Sequence, residues 1–162
     1  MNSLQNCIDY LDRNQITFSH SVHSPAYTAR GVASAERIPA HNLAKTVVYA
    51  GDNGYGMVVL PADCVVNFAE ITRLMGITKV RLATEAELAD LFPQSELGAM
   101  PPLRHIVDMP ILVDEGVAAE PFIAFTAGTH RDVIHMSFED YRRLENPLIA
   151  AFAIKEHLVG AV

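Results

Sequence analysis

The sequence predicts a single α+β domain, 1–162, with a mixed, barrel-like β-sheet and helices packed outside it. Three observations point there. Apolar and β-branched runs bounded by Gly, Pro, Asn or Asp recur from Thr17 to Met136 and read as strands. Segments with helical spacing of apolar residues are interspersed with them, some opened by Ser or Thr caps. The length, 162 residues of which 50% are hydrophobic, suits one substantial core and is short for two.

Leu4, Cys7, Ile8 and Leu11 have helical spacing behind Ser3, which reads as an N-cap. Thr17 to Val22 is a strand. His20 and His23, three apart on an extended chain, face opposite ways and read as surface or turn histidines rather than a metal pair. His23-Ser-Pro-Ala-Tyr27 is a turn, and Thr28 to Arg37 a weak helix interrupted by Gly31. Leu43 to Ala50 and Tyr55 to Leu60 form a hairpin around Gly51-Asp-Asn-Gly54, the second strand apolar enough for burial on both faces. Phe68, Ile71, Leu74 and Met75 mark a helix that Gly76 ends. Lys79 to Ala83 is a short strand, and Thr84-Glu-Ala-Glu87 is a capping-box pattern opening a helix to about Phe92. Strands follow at Ile111–Asp114, Pro121–Ala127 and Val133–Met136. Ser137 caps one more helix, and Leu148 to Leu158 reads as a final one.

Composition narrows the function classes. No apolar run approaches the ~20 residues of a membrane helix, and the N-terminus lacks the pattern of a secretory signal. Cys7 and Cys64 form no CxxC, so a reducing cytoplasm is expected, with neither a disulfide scaffold nor a zinc site. A formal net charge of -7 argues against DNA binding along the backbone; any nucleic acid must be held at a small local site.

Two stretches carry chemistry. Strand alternation puts Lys45 on one face with Leu43, Val47 and Tyr49, where an ammonium is costly to bury without a partner. One reading is a lysine that snorkels to water; the other is a cation held for an anion or a carbonyl. The second stretch is the long loop from Phe92 to Ile111, with Leu97-Gly98-Ala99-Met100-Pro101-Pro102 at its centre. Gly98 permits positive φ and the two prolines stiffen the exit. The N–H groups of Gly98, Ala99 and Met100 are then candidates to line a cavity and meet a carbonyl oxygen or oxyanion. The alternative is a Gly/Pro turn between two elements.

Together, Leu43-Ala-Lys45-Thr46-Val-Val, Leu97-Gly98 through Pro102, and Phe125-Thr-Ala-Gly128-Thr129-His130 resemble the YbaK/prolyl-tRNA synthetase-associated family of aminoacyl-tRNA editing domains, over about His23 to Leu144. The resemblance implies a mixed, barrel-like sheet flanked by helices and hydrolysis of mischarged aminoacyl-tRNA. It places the family's lysine at Lys45, its Gly-to-Pro loop at Gly98–Pro102 and its later turn at Gly128, Thr129 and His130. It implies no metal or organic cofactor, the tRNA acceptor end as partner and an aminoacyl-tRNA synthetase as a further one. Thr46 stands where alanine-specific relatives carry asparagine, so their specificity does not transfer. Tyr27, Met100 and His130 belong to segments expected to meet around Lys45 as walls of an acyl pocket. Cys64 precedes Val65-Val66 and reads as core, not nucleophile. The rival class is a non-catalytic module that binds a tRNA end or a small anion.

Overall fold

The computed structural model describes residues 2–105 and 107–156. Helix α1 (Ser3–Arg13) buries Cys7 and Leu11. Its cap is Asn2, whose side chain accepts the Gln5 N–H, so the cap falls one residue before the expected Ser3, which is itself buried in the first turn. Strand β1 (Phe18–Val22) leads to α2 (Ala29–Glu36), capped by Thr28 through the N–H of Gly31. After a 3₁₀ turn at Ala40–Asn42 comes the hairpin of β2 (Ala44–Gly51) and β3 (Gly54–Pro61). Tyr49 is fully buried with its ring over its cross-strand partner Gly56, where a Cβ would lie 2.1 Å from that ring. Only glycine leaves room there.

Strand β4 (Cys64–Val66) precedes α3 (Phe68–Met75), which ends at Gly76 in the left-handed conformation, φ 64°. Next come β5 (Val80–Leu82) and α4 (Glu85–Leu91), where Thr84 and Glu87 form both bonds of the capping box. The order closes with β6 (Ile111–Asp114), α5 (Glu115–Ala118), β7 (Phe122–Thr126), β8 (Asp132–Ser137), α6 (Phe138–Glu145), β9 (Leu148–Ala150) and β10 (Ala153–Lys155).

The expected final helix is therefore two short strands over its described part; residues 157 and 158 lie outside the described residues. Leu148, Ile149 and Ala150 pair in parallel with β6, and β10 pairs antiparallel with β4. A buried acceptor fixes the bend between them: Asp114 Oδ1 takes the N–H groups of Phe152 and Ala153, each at 2.9 Å. A helix cannot offer those N–H groups to an outside acceptor while bonding them internally.

The strands form a mixed five-stranded sheet, β5-β2-β3-β6-β9, a three-stranded antiparallel sheet, β1-β8-β7, and the β10-β4 pair. The expected barrel does not close. Outside the named strands, one parallel bridge, Leu43 to Ala124, joins the two larger sheets, and three-residue β5 and β9 end the larger one. The sheets instead stack. Met57 and Val59 of β3 pack into the main core with Phe125, Ile134, Met136, Tyr141, Cys7 and Leu11. Val58 and Leu60 point the other way, against Ile71 of α3, Cys64 and Phe152. Each such side chain contributes about 1.5–3 kcal/mol when removed from water. Sealing β3 on both faces gives β2, and hence Lys45, a rigid support.

Candidate functional site

The site is assembled at the seam between the two larger sheets. From the five-stranded sheet comes Lys45, paired with Leu60. Leu43, Val47 and Tyr49 share its face, as alternation predicts; the lysine departs from that apolar company by reaching a partly exposed edge. From the three-stranded sheet comes the turn Gly128–Arg131 between β7 and β8. Its lock is Asp132: the Thr129 hydroxyl donates to Asp132 Oδ2, while Oδ1 lies 2.6 Å from His20 Nε2. His20 thus supports the turn rather than a metal.

The turn then fixes two neighbours. His23 and Ala26 donate their N–H groups to the carbonyls of Arg131 and His130, which brings Tyr27 against His130 with ring centroids 4.8 Å apart. On the other side, Glu96 N–H donates to Gly128 O, Gly128 N–H to Ala99 O, and Glu96 Oε1 accepts the N–H of His130. Gly98 has φ 84°, and a Cβ there would stand 3.6 Å from His130. Gly128 has φ 94°, and a Cβ would fall 2.4 Å from Ser3 Oγ, so glycine is required twice over.

Of the residues singled out from sequence, Tyr27, Lys45, Thr46, Gly98 and His130 line one cavity of about 40 Å³. That volume holds only a few water-sized groups, one water needing about 10–15 Å³. Ala99, Met100, Pro101 and Pro102 are buried and do not line it. The N–H of Ala99 is spent on Glu96 O, and Pro102 O accepts from the buried Tyr141 hydroxyl. These residues hold Gly98 in place; the three-amide strip expected from sequence reduces at the cavity to Gly98. Gly128 and Thr129 likewise act from behind, shaping the turn that presents His130.

Sequence reading missed Arg30 and Glu156. Glu156 Oε2 accepts from Arg30 Nε at 2.7 Å and lies 2.7 Å from Nη2, and Oε1 stands 3.9 Å from Lys45 Nζ. Nothing local marks Glu156, which reaches the site only because β10 pairs with β4. Beside it, Lys155 Nζ lies 2.8 Å from Asp63 Oδ2, and His41 Nδ1 lies 3.1 Å from Asp63 Oδ1. Burial pushes the Asp63 carboxyl up, but hydrogen bonds from Lys155, His41 and Cys64 outweigh it and hold it at about 2. Donor atoms of His41, Asp63 and Cys64 fall within 4.8 Å of one another. An ammonium already neutralises that carboxylate, and burial together with Asp63 pushes the Cys64 thiol up to about 11. The thiol is thus not an activated nucleophile.

A larger cleft, about 880 Å³, lies elsewhere, against α1 and α4, and is lined by Asp9, Asp12 and Asp90 with Arg13 and His105. Three carboxylates there oppose an anionic substrate. The small cavity beside Lys45 is the chemically equipped one.

The aminoacyl-tRNA editing domain model matches residues 23–144, a span that includes every residue named above as lining the small cavity beside Lys45. The chain belongs to the aminoacyl-tRNA editing domain family. This editing domain is 27% identical over 138 residues to a proline–tRNA ligase from Leuconostoc citreum (strain KM20), a match covering 82% of the chain and 24% of the ligase. It thus spans about a quarter of the length of that curated relative. Among solved structures, it resembles a "putative trans-editing enzyme for prolyl tRNA synthetase" with TM-score 0.80 and 23% identity, over 95% of this chain and 97% of that one. It also resembles a hypothetical protein with TM-score 0.84 and 19% identity, over 91% and 99% of the two chains. At these identities the two structures establish the fold. Among the described residues, no helix is long and apolar enough to cross a membrane.

Proposed function

We propose that this editing domain hydrolyses the ester of mischarged aminoacyl-tRNA, acting on the acceptor end as a trans-editing deacylase. One observation carries the reading: Lys45, Gly98 and His130, drawn from three separate segments, converge on a cavity of about 40 Å³. A cavity of that size admits a small acyl group and leaves the rest of the tRNA outside.

An aminoacyl ester is already activated, so catalysis needs orientation and charge stabilisation more than a strong nucleophile. Water adds to the ester carbonyl, the tetrahedral intermediate collapses, and the ribose oxygen leaves with the proton that the water gives up. Lys45 acts as a cation, with a carboxylate already facing it, and anchors the phosphate side of the terminal nucleotide or the ester. In the described residues the Gly98 N–H donates to no protein acceptor, which leaves it for the carbonyl oxygen. His130 and Tyr27 wall the acyl side. No side chain here is an activated nucleophile, and the adjacent ribose hydroxyl of the substrate is the group best placed to orient the water.

A deacylation screen across a panel of mischarged tRNAs tests the reading. Turnover confined to small acyl groups is expected. A folded protein that binds tRNA ends but turns over none of the panel refutes hydrolysis in favour of a binding module. Turnover of small aminoacyl esters, indifferent to the tRNA, refutes the tRNA assignment.

A further inference from the structure

We propose that Arg30 is a second substrate-binding cation of this site and that Glu156 is an internal anion holding its place: Arg30 and Lys45 together grip a phosphate of the substrate, which displaces the Glu156 carboxylate. The identity of that phosphate, a backbone phosphodiester near the 3′ end, rests on the editing reading. The clamp itself rests on geometry.

One oxygen of Glu156 accepts a hydrogen bond from Arg30 Nε and lies 2.7 Å from Nη2 of the same guanidinium, while the other stands a loose 3.9 Å from Lys45 Nζ. A guanidinium fork matches carboxylate and phosphate oxygens equally well, and an ammonium is a point charge suited to either. A phosphodiester holds two non-bridging oxygens about a tetrahedral phosphorus, one for each cation, where the carboxylate satisfies one cation well and the other poorly.

The carboxylate is also free to leave without disturbing the fold. The side chains of Arg30 and Glu156 are 57% and 36% exposed, so displacement returns Glu156 to water at little cost. Its backbone stays fixed meanwhile, since the Glu156 N–H donates to Asp63 O and the neighbouring Lys155 is tied to Asp63. With the carboxylate swung out, Arg30 and Lys45 form a local cationic edge beside the cavity. An acidic chain of net charge -7 thereby meets a polyanion over a few phosphates only. Until that anion arrives, Glu156 keeps the two cations from attracting others.

The test uses adenosine 5′-monophosphate as probe, titrated calorimetrically into wild type, Glu156→Gln, Arg30→Ala and the double variant, beside single-turnover deacylation. Glu156→Gln is expected to tighten binding of the probe about two- to fivefold, the scale of one exposed ion pair. Its binding is also expected to weaken more steeply with added salt than that of wild type, because the two cations then meet the probe without an internal carboxylate between them. Arg30→Ala is expected to weaken binding and to abolish the gain in the double variant. Equal or weaker binding by Glu156→Gln overturns the proposal and leaves a structural ion pair between α2 and β10. So does binding that Arg30→Ala leaves unchanged, or no measurable binding by any variant. Failure to deacylate any mischarged tRNA refutes the editing reading while the probe still reports on the clamp. Intact deacylation with the same probe affinity in all four proteins refutes the clamp alone.

Discussion

Replacing Asp114 tests how the C-terminal strands are delivered to the site. Its carboxylate is 6% exposed and accepts three backbone N–H groups: Phe152 and Ala153 at 2.9 Å on Oδ1, and Gly116 at 2.8 Å on Oδ2. A hydrogen bond to a charged group is worth about 1.5–3 kcal/mol, and a buried donor left unpaired costs about 1–3 kcal/mol. Phe152 N is fully enclosed, whereas water reaches the other two in part, so Asp114→Ala should cost about 3–5 kcal/mol. Asp114→Asn keeps one acceptor oxygen but turns an NH₂ toward a donor, for an expected loss of about 2–3 kcal/mol. Against a typical total of about 5–15 kcal/mol, either loss is large. Urea denaturation followed by circular dichroism reads it as a fall in midpoint at unchanged slope. An Asp114→Ala protein within about 1 kcal/mol of wild type refutes the claim that this carboxylate holds the β9–β10 bend.

Lys45→Ala should lose about 10²–10³ in deacylation rate, the scale of one lost electrostatic contact to the reacting centre. It should shift stability by only about 0–1 kcal/mol, since its one ion pair is long and partly exposed; a folded variant with near wild-type single-turnover rate refutes the role, and Lys45→Arg should rescue only partly. His130→Ala removes a wall of the cavity and should raise turnover of larger acyl groups; a methylene is worth about 1–3 kcal/mol, and an unchanged acyl profile at full activity returns His130 to a turn residue. The Asp63 carboxyl is held at about 2 against 3.8, so its contribution to stability is present above pH 3.8 and lost as pH falls through 2. Urea midpoints of wild type should therefore drop more steeply than those of Asp63→Asn between those values, and parallel curves refute this.

Much of the fold was legible because its signals are local. Thr84 and Glu87 announce a capping box that needs nothing distant, and Gly76 ends α3 because it alone adopts left-handed φ without strain. Lys45 was legible for the same reason, strand alternation being a property of the segment. The run from Leu148 was not. Its apolar spacing fits a helix as readily as two short strands, and Asp114, β6 and β4 decide between them from afar. The Gly98–Pro102 loop was half legible: its rigidity follows from composition, but which amides stay free depends on Glu96 and Gly128. Glu156 was illegible, since a lone glutamate acquires meaning only from the Arg30 and Lys45 it meets.

The seam between the two larger sheets has a consequence for how acyl specificity changes over evolution. One wall of the cavity rides on β2 and the other on the β7–β8 turn, and among the described strands a single bridge, Leu43 to Ala124, stitches the sheets beside it. The two walls are carried by layers that share the main core, where Met57 and Val59 of the one pack with Phe125 and Ile134 of the other. A methylene gained or lost in that layer moves one wall against the other while leaving Tyr27, Lys45 and His130 untouched. Under the proposed function, acyl selectivity then answers to interior residues that no substrate reaches, as well as to the lining.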